Sequence, residues 1–156
     1  MSSMDDANAK AKELREKYSR PNQPLSEVYK QIFEEVGISV QYAQVGEHAE
    51  KCDGKWKITL PVDTSTARDN FTIAHELGHI VLKHRLNEHD KIHRSGSCTT
   101  EEIQANRFAA EFLMPKDEFS RAAQEFNFDE RKLADKFEVS KTAVLVRMSV
   151  LNIVTE

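Results

Sequence analysis

The chain has 156 residues, a formal net charge of −4, 39% hydrophobic and 31% charged residues, and a sequence pI near 5.9. That length supports one hydrophobic core without covalent staples, and the acidic balance argues against broad binding to nucleic acid or anionic membranes, which need a basic footprint. Two cysteines, Cys52 and Cys98, are too few for a disulfide framework, and no apolar run suits a signal peptide or a membrane span, so a cytoplasmic protein is expected.

Residues 1–22 are predicted as an N-terminal helix and linker: Ala7, Ala11, Leu14 and Tyr18 make a thin apolar stripe, and Pro21 and Pro24 interrupt the helix. A stronger helix follows, with Leu25, Val28, Tyr29, Ile32, Phe33 and Val36 at spacings of three and four, Pro24 at its start and Gly37 as its stop. The period then changes to two. Ile38, Val40 and Tyr42 alternate, as do Trp56, Ile58 and Leu60, which are strand patterns. Asp53-Gly54 is a hairpin signal, Gly46 is expected to break the connection, and Pro61 to end the last strand or mark it as an edge.

From Thr66 the pattern is helical, with Phe71, Ala74, Leu77, Gly78, Val81 and Leu82 on one broad side. A polar loop around Asn87–Ser97 separates it from a helix over 99–114 that Pro115 stops. Short helices are predicted over 116–126, 130–137 and 141–151, with Asp129 and Ser140 as N-caps of the last two. The fold class expected is α+β, a small antiparallel sheet packed against a mostly helical core. One domain is expected over 1–156, its catalytic core at 24–126 and a helical hairpin at 127–156.

His75-Glu76-Leu77-Gly78-His79 is an H-E-x-x-H pattern. On a helix, positions i and i+4 project to nearly the same side, so both imidazoles reach one ion, while Glu76 points beside it and can hold an attacking water. The competing reading is an amphipathic helix with two surface histidines. The apolar surroundings (Phe71, Ile73, Ala74, Leu77, Ile80) count against it, and so does Gly78, which costs about 1 kcal/mol in a helix and implies close packing.

A catalytic zinc needs a third protein ligand. The longer pattern ending in a third histidine fails, because Leu82 and Arg85 occupy its positions. His84 falls on the far side of the helix, and His89 and His93 are loop alternatives. Glu102 is favoured, with Asn106 one turn later on the same face to hydrogen-bond a ligand histidine, and Ala105 keeping that face thin. Glu101 is the rival, about 100° round the helix, and a plain helix-start carboxylate is the alternative meaning of Glu102.

The run Phe71-Thr72-Ile73-Ala74-His75-Glu76-Leu77-Gly78-His79 resembles the active-site helix of the ImmA/IrrE metallopeptidases. The run from Glu102 to Pro115 resembles the second signature of that family. The likeness extends from about Val40 to the C-terminus, with Gln104 and Phe112 as small departures. It implies a zincin-like peptidase core binding Zn2+, with His75, His79 and Glu102 as ligands and Glu76 as general base. It further implies an intracellular protein of stress responses or mobile elements, acting on a helix-turn-helix transcriptional repressor as its protein substrate.

Several assignments stay open. Tyr42, His84 and His93 are candidates by type for stabilising the tetrahedral intermediate. A substrate could add as a strand to 56–60 if that strand is an edge. Cys98, four residues before Glu102, could block the open metal position when its thiolate forms. Two other functions compete: a zinc-bound regulator that sequesters a repressor without cutting it, and a DNA-binding regulator using the helix-turn-helix cadence of Leu133, Phe137, Val139 and Ser140. Lys132, Lys136, Lys141 and Arg147 favour the second, but Asp129, Glu130, Asp135 and Glu138 offset them.

Overall fold

The computed structural model describes residues 4–18, 23–44, 48–62, 64–83 and 100–153. Its elements are α1 (Met4–Tyr18), α2 (Leu25–Val36), β1 (Ile38–Ala43), β2 (His48–Cys52), β3 (Lys55–Pro61), α3 (Thr66–Val81), α4 (Thr100–Leu113), α5 (Lys116–Glu125), α6 (Glu130–Phe137) and α7 (Lys141–Val150). The α+β class holds. Gly46 and the loop carrying His84, His89, His93 and Cys98 lie outside the described residues. Among the described residues, no helix is long and apolar enough to cross a membrane.

The sheet differs from expectation in pairing. Its order is β1-β3-β2, with β2 antiparallel to β3 but β1 parallel to it, from Ile38 beside Trp56 to Ala43 beside Pro61. The turn explains the arrangement. Asp53 and Gly54 both have positive φ, 52° and 79°, as a two-residue hairpin with the right-handed strand twist requires. That turn binds β3 to the strand immediately before it, β2, and leaves β1 the opposite side. β2 escaped the pattern analysis because Ala49 is the one buried apolar side chain among its described residues. β3 is therefore the central strand, hydrogen-bonded on both sides, and cannot accept an added substrate strand. Pro61 stands at its last position, where the next residue, Val62, donates to the Ala43 carbonyl at 3.2 Å.

Helix boundaries follow local chemistry. Gly37 ends α2 at φ 87° with its N–H on the Phe33 carbonyl. Ser65, Asp129 and Ser140 cap α3, α6 and α7 by accepting first-turn N–H groups. The core is filled by fully buried Ile32, Ile58, Leu60, Leu77, Phe108, Phe112 and Phe119. Gly78 allows α3 to lie directly on α4: a Cβ there would come within 3.1 Å of Phe108 Cβ and ring carbons.

The outer helices are tied down by polar groups. On α1, Ala7, Ala11 and Tyr18 are buried, and Arg15 donates from Nη1 to the Phe112 carbonyl at 2.5 Å with its guanidinium 5.3 Å from the Phe112 ring. A carbonyl left open at the end of α4 is thereby satisfied. Arg147 of α7, counted above as a surface cation, is buried. Its Nη2 donates to Glu111 Oε1 at 2.6 Å and its Nε to the Met114 carbonyl at 3.0 Å. Asn70 Nδ2 donates to the Glu138 carbonyl at 2.9 Å, joining α3 to the end of α6.

Candidate metal centre

The i, i+4 spacing places His75 and His79 side by side on the buried face of α3, their rings edge-to-face with centroids 4.8 Å apart. Their Nε2 atoms lie 3.2 Å from each other. The Gly78–Phe108 contact brings α4 close enough for Glu102 to meet both: Oε1 is 3.3 Å from His75 Nε2, and Oε2 is 2.5 Å from His79 Nε2. Glu101 lies about 100° further round α4 and is half-buried. Ala105 is fully buried.

The next turn of α4 sets the tautomer. His75 Nδ1 lies 2.7 Å from Asn106 Oδ1. An amide oxygen only accepts, so the Nδ1–H donates and the Nε2 lone pair faces Glu102 and His79. Two ring nitrogens and two carboxylate oxygens therefore converge in a volume closed to solvent, with His75 and His79 at most 1% exposed. Such a crowd of acceptors needs a shared proton or a cation between them. The protein has built a place for positive charge.

Glu76 is fully buried beside this cluster, and single ligand atoms of His75, Glu76 and His79 lie within 4.8 Å of one another, a grouping able to hold a metal ion. Burial pushes the Glu102 carboxyl up. When the imidazoles hold the shared proton, the hydrogen bonds and charge of His75 and His79 outweigh that and hold it below the usual carboxylate range.

Among the other candidates, Tyr42 is not brought to the cluster. It is 59% exposed and its hydroxyl donates to Asp69 Oδ2 at 3.3 Å. Asp69 precedes His75 by six residues, about 9 Å along the helix axis. The two partners missed from sequence are Phe108, the platform under Gly78, and Glu111, the counter-charge of Arg147. A bulky aromatic at the spacing of Ala105 and Asn106, facing a helical glycine, was the available signal for Phe108.

No curated protein shows a significant match to the chain. A Mycobacterium tuberculosis transcriptional regulator of known structure superposes with a TM-score of 0.67 at 21% identity, over 92% of this chain and 47% of that one. The shared part is a fold, and this chain spans about half the length of that regulator. The family profile described as the IrrE N-terminal-like domain matches residues 33–149, from the end of α2 through nearly all of α7. With three quarters of its length so matched, and with the paired histidines and the glutamate lying inside the match, the chain belongs to the IrrE N-terminal-like peptidase family.

Proposed function

We propose that the protein is a zinc-dependent endopeptidase of the cytoplasm that cuts a specific protein, a helix-turn-helix transcriptional repressor. The observation that carries this reading is the buried convergence of His75 Nε2, His79 Nε2 and the Glu102 carboxylate, with Glu76 alongside. Two neutral imidazoles and one carboxylate are the donor set of a catalytic zinc site, which leaves a position open for water or substrate. The donors present fit zinc, with His75, His79 and Glu102 holding it.

A zinc ion held there supplies Lewis acidity, polarising a carbonyl and bringing the pKa of water toward neutrality. The remaining work falls to the chain. Glu76 accepts a proton from the attacking water at a carboxylate oxygen and passes it to the departing amine. Its burial excludes competing water. Asn106 holds the His75 ring by its Nδ1–H, which leaves the Nε2 lone pair to face the site. α4 fixes Glu102 through the Gly78–Phe108 contact.

The test compares wild type and Glu76→Ala for metal content and for cleavage of the repressor encoded nearest the gene. One zinc in each, with fragments from the wild type alone, is the expected result. Zinc in both and relief of DNA binding without fragments would show a sequestering regulator on a peptidase scaffold, with Glu76 no catalyst.

A further inference from the structure

Beside the metal site, α4 and α7 enclose a groove of about 510 Å³. Phe71 of α3, Ile103 and Ala110 of α4, and Val146 and Val150 of α7 give it an apolar lining. α7 turns Val144, Arg147 and Met148 into the core. Its opposite side nevertheless carries Val146, 58% exposed, and Val150, 40% exposed, across from Ile103 at 45%. A helix that only packs on a core turns its branched aliphatics inward. Apolar groups gathered in a groove on the outer side mark a binding surface.

The charge of the groove narrows its occupant. Among the described residues, no carboxylate lines it. Arg147 is consumed by Glu111, which leaves Arg107 as the available cation of the wall, half-buried and in no ion pair among the described residues. Position narrows the occupant further. Asn106, whose Oδ1 holds His75, is itself exposed and lines the same groove, so whatever fills the groove lies against the metal site. The outer face of α7 is also unsuited to DNA, since a phosphate-contacting helix presents cations there.

We propose that the groove between α4 and α7 docks the protein substrate through an amphipathic helix whose apolar side is flanked by a carboxylate facing Arg107. The word substrate rests on the peptidase reading; the binding itself does not. α7 has 10 residues, so a partner of about three turns, with apolar residues three and four apart, covers its length. The carboxylate fixes register and orientation against the cationic wall.

The probe is a fluorescein-labelled 14-residue helical peptide, with leucines three and four apart and one flanking glutamate. Its binding to the full chain carrying Glu76→Ala is read by fluorescence anisotropy. Saturable binding is expected, about tenfold weaker when lysine replaces the glutamate, and lost in Val146→Glu, an exposed position where the fold is not at stake. Arg107→Glu should reverse the preference and favour the lysine peptide. Equal binding of a scrambled peptide, or binding untouched by Val146→Glu, overturns the proposal. So does gel filtration showing a dimer that Val146→Glu turns into a monomer, because the groove would then belong to a second copy. Anisotropy reads docking alone, so wild-type cleavage that survives Val146→Glu with unchanged KM sinks the groove and spares the peptidase. Groove binding without any cleavage does the reverse.

Discussion

Asn106 does two things at residue scale: its amide oxygen accepts the His75 Nδ1–H, and in doing so it decides which nitrogen remains free to donate an electron pair. Asn106→Ala should therefore weaken zinc binding by about 10- to 100-fold, the usual cost of losing an orienting partner of a histidine ligand. Chelator competition measures it. Asn106→Asp, which also accepts from Nδ1–H, should recover most of the affinity, and an Ala variant that binds zinc as tightly as wild type would remove Asn106 from the site. These residues were legible in the sequence because each pair repeats one geometric fact. His75 and His79, and Glu102 and Asn106, are each four apart, so each pair shares a helix face. Arg147 was misjudged as a surface cation for the converse reason: its partner Glu111 is 36 residues away, and no local pattern announces a pairing at that range.

At the scale of elements, the site depends on how closely α3 and α4 lie. Gly78→Ala places a methyl group 3.1 Å from Phe108, which is fully buried and stacked on Phe112 with centroids 5.9 Å apart. Overpacking there costs about 1–3 kcal/mol, against roughly 1 kcal/mol regained from helix propensity. A net loss of about 1 kcal/mol is expected in urea denaturation, together with a fall in zinc affinity, because Glu102 rides on the displaced helix. Unchanged stability and affinity would mean that Phe108 moves aside freely. The helices were legible almost to the residue from apolar spacing, Gly37, Ser140 and Pro115. The sheet was less so. His48-Ala49-Glu50-Lys51-Cys52 pairs through its backbone with little apolar signal in its side chains. β1 is parallel to β3 because the chain reverses direction twice between them, once between β1 and β2 and again at the hairpin. Pro61 ends β3, the first of the two roles expected of it; a proline at a strand's last residue forfeits no ladder bond, whereas the same residue mid-strand would mark an edge.

At the scale of the whole molecule, the Arg147–Glu111 pair joins α7 to the junction of α4 and α5, with Lys116 N–H also donating to Glu111 Oε2 at 3.2 Å. Arg147→Met leaves Glu111 charged and buried, and should cost about 3 kcal/mol by urea denaturation. Adding Glu111→Gln, which keeps an acceptor for Lys116 and removes the stranded charge, should restore much of that loss. If the double variant is no better than the single one, the pair is not what holds α7 in place. The same fastening shapes one wall of the groove, so the single variant should also blur peptide discrimination there.

His75 and Glu102 meet across 27 positions of chain. An ion gripped by both acts as a removable cross-link, restricting the denatured ensemble as a disulfide does, although it can be withdrawn by a chelator. The entropy of closing such a loop rises only with the logarithm of its length, about 0.6 kcal/mol for each doubling. The number of residues between the two helices is therefore an almost free variable, whereas the width of a single methyl group at their crossing is not.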